Sequence, residues 1–191
     1  MTESLVTFDR RLLENMAGKI CETLIPIKYE YNMGGRGKEI AICTLSSIQL
    51  LEDICKSSEI MDKILIVGRL LSENKGVDAI IRFTLAHPGL HYIIVCGKEV
   101  RGHQAGQVLL SLYENGINNN NIGSRIIIGA KSPYPVLTST WEDVVAFRKQ
   151  INKIYNLIGI SDIEQIKKQI KTCNLSSLAH THLTDSKTLS D

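Results

Sequence analysis

Aromatic residues make up only 5% of the 191-residue chain, and 22 lysines and arginines nearly balance 20 aspartates and glutamates. The net charge of +2 gives no electrostatic footprint for nucleic acid, and the few aromatics leave no base-stacking surface. No apolar run approaches the roughly 20 residues that a membrane-spanning helix needs. The N-terminus, MTESLVTFDRRLLENM, carries charges on both flanks and lacks the apolar core of a signal peptide. The five cysteines (Cys21, Cys43, Cys55, Cys96, Cys173) are odd in number and form no C-x-x-C pair. They read as reduced thiols of a cytoplasmic protein, not as a disulfide frame or a zinc site. No phosphate fingerprint is complete: G-x-G-x-x-G follows no strand, G-K-[ST] is missing, and GGRG at 34–37 precedes the first strand. There is no internal repeat, and a hydrophobic content of 43% excludes wholesale disorder.

What is present is alternation. Short apolar, β-branched runs occur at EIAICTL (39–45), KILIVG (63–68), HYIIVCG (91–97) and RIIIGA (125–130). Strands that are apolar at nearly every position suit a parallel sheet covered on both faces. Amphipathic stretches separate them. Ser46 with Gln49 reads as a capping box ahead of Ile48, Leu51, Ile54 and Cys55. Val77, Ile80, Ile81, Thr84 and Leu85 form a second stripe, stopped by Pro88-Gly89. Ala105, Val108, Leu109 and Leu112 form a third, with Gly116 as its C-terminal cap. Thr140 with Asp143 opens a long helix through Val144, Phe147, Ile151, Ile154 and Tyr155, and Ser161 with Glu164 opens a last one. The expected fold is α/β: an open, doubly wound, mostly parallel, Rossmann-like sheet with helices on both faces. Its expected divisions are 1–38 (an amphipathic helix over 8–25 and a flexible lead, MGGRGKE), the α/β domain over 39–172, and a polar tail over 173–191. Asn118–Asn121 reads as a surface loop.

In such a sheet ligands bind beyond the carboxyl ends of the strands. Four loops qualify: TLSS (44–47), GRLLSENKG (68–76), GKEVRGHQAGQ (97–107) and GAKSPYPV (129–136). His103 stands where the third loop becomes a helix, and points to the crevice. His87, His91, His180 and His182 lie elsewhere, so three protein ligands for a zinc cannot be assembled. A single imidazole suits a metal already held by a macrocycle, needing only an axial ligand. Many cobalamin-binding modules carry D-x-H-x-x-G. Here His103 and Gly106 supply the second half, while Arg101 replaces the aspartate and the downstream glycine pair is missing.

A closer likeness covers roughly residues 39–170. Ser72, Glu73, Asn74 and Gly76 (S-E-N-x-G), Cys96 to Gln107 (C-G-x-E-V-x-G-H-x-x-G-Q), Glu114 to Gly116 (E-N-G) and Ile127 to Ala130 (I-I-G-A) resemble the A-subunit family of tetrahydromethanopterin S-methyltransferase from methanogenic archaea. That resemblance implies a cobamide, a vitamin B12-type corrinoid with cobalt. It would accept a methyl group from N5-methyl-tetrahydromethanopterin and pass it to the thiol of coenzyme M, in one-carbon metabolism of methanogenesis. In membrane complexes of this type the transfer is coupled to sodium export. The histidine matched by His103 is the lower axial ligand there, so His103 is the expected metal ligand.

The expected cofactor-binding residues are His103, Gly102, Gly97, Gln107, Glu99, Ser46, Ser47, Glu73, Asn74, Gly76, Gly129, Ala130, Tyr134 and Pro135. Glu99 would orient the imidazole, Gln107 would reach a corrin amide, Glu73 and Asn74 would begin a helix, and Tyr134 between prolines would wall a flat ligand. The family's membrane-complex members end in a hydrophobic helix, whereas this chain ends in TLSD; the expectation is a soluble homologue, or a shortened family member. The SENKG loop replaces a cysteine-bearing version. Expected partners are cobamide and other methyltransferase subunits, with no nucleic acid and no membrane insertion, in the cytoplasm or at the periphery of a membrane complex. The alternative is a non-catalytic protein that stores, delivers or senses cobamide; a nucleotide-binding α/β domain is a third reading.

Overall fold

The computed structural model describes residues 33–118 and 125–185, with side chains up to Leu175 in the last helix. The amphipathic segment over 8–25 and most of the Asn118–Asn121 loop lie outside the described residues. A main sheet runs in the order β1-β3-β2-β4-β7. Its strands are β1 (Met33–Gly34), β2 (Ile40–Cys43), β3 (Ile66–Gly68), β4 (Tyr92–Gly97) and β7 (Lys153–Ile158). The last four are parallel to one another, and β1 runs antiparallel along the outer edge of β3. The helices are α1 (Ile48–Lys56), α2 (Ser58–Met61), α3 (Lys75–Ala86), α4 (Ala105–Asn115), α5 (Trp141–Gln150) and α6 (Ile163–Asp185).

Because successive strand side chains face opposite ways, the apolar runs build two cores. Ala41, Cys43, Ile93, Val95 and Ile154 pack with α3, α4 and α5. Ile40, Ile42, Val67, Tyr92, Ile94 and Cys96 pack with α1, α2 and α6. Helices therefore cover both faces, and the doubly wound α/β architecture expected from the alternation is the one observed. The chain steps outward from β2 to β3 through α1 and α2 on one face, then returns past β2 to β4 through α3 on the other. The direction of winding reverses between β2 and β4, and the crevice of the fold opens beyond their carboxyl ends.

Several local expectations are corrected. RIIIGA supplies no main-sheet strand: only Arg125–Ile126 is extended, as β5, pairing antiparallel with β6 (Val136–Leu137) in a separate ribbon. The fourth parallel strand is β7, because α5 ends at Gln150 and Ile154 and Tyr155 belong to the sheet. The lead MGGRGKE is packed, not loose. The amides of Gly35, Arg36 and Gly37 donate to the carbonyls of Leu65, Met61 and Ile64. A methyl group on Gly35 or Gly37 would overlap that neighbouring backbone. The capping box of α5 is present, Thr140 and Asp143 each accepting from the other's amide. The one expected at Ser46 and Gln49 is not: Ser47 is the N-cap, and Gln49 bonds Asp53 instead. Asp162, not Ser161, receives the first amides of α6. That helix runs on to Asp185, through most of the segment expected as a polar tail.

Candidate functional site

Three rim loops meet over the end of β2. The loop 44–47 is fastened to the loop after β4: Ser46 Oγ donates to the Lys98 carbonyl at 2.7 Å, and the Lys98 amide donates to Ser47 Oγ at 2.8 Å. Gly97 makes this close approach feasible. Its φ is +79°, and a Cβ there would stand 2.6 Å from the Thr44 carbonyl oxygen. From the other side Arg69 donates to the carbonyls of Leu45 and Ser46. Leu45 is fully buried with a φ of +50°, a left-handed conformation that costs a branched residue about 1–2 kcal/mol and persists only because its surroundings hold it.

Above this floor the amino ends of α3 and α4 present one pair. His103 Nδ1 lies 2.6 Å from Glu73 Oε2. The glutamate side chain is only 5% exposed, the histidine 48%. A carboxylate accepts only, so Nδ1 carries the hydrogen, and in the neutral ring Nε2 presents its lone pair. Among the described residues Nε2 has no partner. Asn74, the N-cap of α3, accepts from Lys75, and Ser72 Oγ accepts from the Gly76 amide at 2.8 Å. Helix capping thus falls to Asn74 and Ser72, which frees Glu73 for the imidazole.

The expected role of Glu99 is corrected by its bonds. Oε1 accepts from the amides of Val100 and Gly106, and Oε2 accepts from Gln107 at 2.9 Å. Gln104, the N-cap residue, is left-handed with a φ of +45° and offers no side-chain cap. Glu99 therefore takes the orphan amides of α4, and the carboxylate bonded to the ring is that of Glu73. Gln107 is also engaged. Its Nε2 donates to Ser111 and to the Gly129 carbonyl, and its Oε1 accepts from the Lys131 amide. It ties the 129–136 loop to α4 and has no spare amide hydrogen for a corrin side chain. Tyr134 in that loop is 63% exposed.

Among the described residues no group of three or more His, Cys, Asp or Glu side chains could hold a metal ion. The donor set at the rim is one imidazole, as a cobamide would require. Two features fit a large flat group beside it. Gly102 has a φ of +79° with nothing within 4 Å of a Cβ position, so the space next to His103 is open. The Ser132 hydroxyl in the neighbouring loop is buried without a partner. One rim residue escaped the sequence reading: Gly159, after β7, whose amide donates to the Gly97 carbonyl while the Gly97 amide donates to Ile160. Its signal, glycine at a strand exit, was present but hidden by the assignment of β7 to a helix. The thiols of Cys43 and Cys96 lie in the cores, where burial pushes each up to about 12. Among the described residues no helix is long and apolar enough to cross a membrane.

Known proteins of one family are similar to this chain. The family model for the A component of tetrahydromethanopterin S-methyltransferase matches residues 19–180. The corresponding protein of Methanocaldococcus jannaschii is 34% identical over 145 residues, covering 75% of this chain and 56% of that protein. That of Methanopyrus kandleri is 34% identical over 148 residues, covering 77% and 57%. The second of two such proteins in Methanothermobacter thermautotrophicus is 28% identical over 145 residues, covering 75% and 74%. The chain thus spans little more than half the length of several curated relatives. A match over most of the sequence places the chain in the A-subunit family of tetrahydromethanopterin S-methyltransferase.

Proposed function

We propose that this chain is a cobamide-binding methyl carrier that takes part in methyl transfer from N5-methyl-tetrahydromethanopterin to coenzyme M. The observation that carries the reading is the buried Glu73 carboxylate fixing a rim histidine through Nδ1. A ligating histidine is commonly held this way by a carboxylate, which sets its tautomer and raises its basicity. When bound, the cobamide would supply a cobalt centre able to accept and release a methyl group.

This chain's residues would do the rest. His103 would offer Nε2 to the cobalt, and Glu73 would keep the ring aimed. Glu99 would hold the 99–104 loop in place through the first amides of α4. Gly102 would leave room for the flat face of the ring system, and Tyr134 and Pro135 would border it. The protein supplies position and exclusion while the bond chemistry belongs to the cofactor. Partner proteins carrying the methyl donor and acceptor sites would dock over the same rim.

The test is reconstitution. Equilibrium dialysis against hydroxocobalamin is expected to show one cobamide per chain, with a visible spectrum that changes when His103→Ala removes the ligand. Failure to take up cobamide, or a spectrum indifferent to His103→Ala, overturns the proposal. A methyl-transfer assay with the pterin donor and the partner proteins then separates a carrier from a storage or delivery protein, which would bind without turnover.

A further inference from the structure

The sheet stops short of the Glu73–His103 pair. The last paired residues of β2 and β3 are Cys43 and Gly68, and a bond from the Thr44 amide to the Gly68 carbonyl closes that ladder. Glu73 and His103 both lie beyond it, on separate loops. A displacement of about 1 Å would carry their 2.6 Å contact past hydrogen-bond length. Contacts outside the ladder therefore set how far apart the two loops stand.

One side chain starts a path between them. Arg69 follows β3 directly, at the head of the loop that carries Glu73. Its Nε donates to the Leu45 carbonyl at 3.2 Å, and a terminal nitrogen donates to the Ser46 carbonyl at 3.4 Å. Both carbonyls belong to the tight turn that the Ser47 amide closes on the Thr44 carbonyl. Leu45 is the left-handed residue of that turn, and its fully buried side chain packs against the first turn of α4. A Cβ on Gly106 would stand 3.0 Å from Leu45 Cδ1 and 2.9 Å from Glu99 Oε2. The Gly106 amide in turn donates to Glu99, and His103 immediately precedes Gln104, the N-cap of α4. The path thus runs from a guanidinium through a strained turn to the helix start beside the imidazole. Backbone strain persists only where the surroundings hold it, and Arg69 supplies polar contacts to this turn.

We propose that Arg69 is a positioning residue for the rim pair: by clamping the Leu45 and Ser46 carbonyls, it sets the distance between Glu73 and His103. Arginine suits the task because its planar fork presents several donors in fixed geometry, which a lysine ammonium does not. The importance of that distance rests on the function proposed for His103. The distance itself is read without cofactor, so the clamp and the cobamide reading fail separately.

The experiment records ring nitrogen signals of His103 in the full chain, without cofactor. Arg69→Met keeps the length of the side chain and removes its donors. It is expected to shift the tautomer ratio toward the Nε2–H form by about fivefold, the value of one net hydrogen bond. Arg69→Lys keeps a donor, is the milder change for folding, and is expected to shift the ratio less than half as far. Gln150→Met removes a comparable clamp elsewhere, since Gln150 donates to the carbonyls of Thr84, His87 and Leu90 past the far end of α3. It is expected to lower Tm while leaving the His103 ring unmoved. In Glu73→Ala the ring has already lost its partner, and adding Arg69→Met is expected to produce no further shift. A ring unmoved by Arg69→Met, moved equally by Gln150→Met, moved as far by Arg69→Lys, or moved further in the double variant overturns the proposal.

Discussion

Glu73 and His103 stand 30 residues apart in sequence, on the loops after β3 and β4, yet their side chains meet at 2.6 Å over the end of β2. A buried acceptor-only group fixes the hydrogen on Nδ1, whereas a free imidazole prefers it on Nε2. In Glu73→Ala the His103 ring therefore reverts to the Nε2–H form. Nitrogen chemical shifts of the ring, recorded without cofactor, report this directly; an unchanged tautomer would refute the orienting role. Loss of the outer partner of a metal-bound histidine typically costs 10–100-fold in affinity. Glu73→Gln should accordingly weaken cobamide retention about tenfold, read by dialysis.

Asp78 carries the heaviest structural duty of any carboxylate in the described residues. It is 2% exposed on α3, and its oxygens accept from the amides and hydroxyls of both Thr138 and Ser139. Desolvation alone would raise its pKa, but the bonds from Ser139 and Thr138 outweigh it and hold the carboxyl below its usual range. Its folded pKa is thus below its unfolded one. The stabilisation is complete above the unfolded value and is lost as pH falls through the folded one. Asp78→Ala leaves four donors unmet and should cost about 3 kcal/mol, lowering Tm by about 6–12 °C at pH 7. The gap between variant and wild type should narrow as pH drops below the ordinary carboxylate range, measured by calorimetry.

The sheet was legible because its strands are apolar at every position, and that pattern has one physical source, burial on both faces. The stripe Ala105, Val108, Leu109 and Leu112 is fully buried as its spacing required. β7 was not legible. Lys153, Tyr155 and Asn156 interrupt its apolar run, and Val144, Phe147, Ile151 and Ile154 continue at helical spacing into it, so the period alone favoured a longer helix. RIIIGA misled in the opposite sense: Ile126 and Ile128 are 43% and 46% exposed, on a ribbon outside the main sheet. At the site, His103 was readable from glycines flanking a strand exit. The choice between Glu73 and Glu99 was not. Only the fold brings residue 73 to residue 103, while Glu99 is taken by the amides of α4 next to it in sequence.

Two rim glycines with the same φ of +79° should respond differently to alanine. At Gly97 a Cβ would stand 2.6 Å from the Thr44 carbonyl oxygen and 2.8 Å from Ser47 Oγ, so the seam between the first and third loops must open. Gly97→Ala should lose about 3 kcal/mol or more, combining backbone strain with the broken Ser47–Lys98 bond. At Gly102 nothing lies within 4 Å, and Gly102→Ala should cost only the strain, about 1–2 kcal/mol. Its added methyl would stand in the open space beside His103. Denaturant unfolding should therefore rank Gly97→Ala well below Gly102→Ala, while cobamide uptake should fall in Gly102→Ala although that chain remains folded.

Thiol chemistry offers a check on the two cores that needs no ligand. Burial pushes Cys43 and Cys96 up to about 12 and Cys173 up to about 11. Reaction with disulfide reagents requires the thiolate, whose fraction at pH 8 falls about tenfold for each unit of such a rise. Cys55, half-buried on α1, is also raised, first by desolvation and then by Glu52, but it keeps access to solvent. At pH 8 the native chain should be labelled at Cys55 long before Cys43, Cys96 or Cys173, by peptide mass mapping. In denaturant those four sites should react at similar rates. Early modification of Cys43 or Cys96 in the folded chain would mean that the sheet is not covered on both sides, and the rim geometry built on it would have to be abandoned.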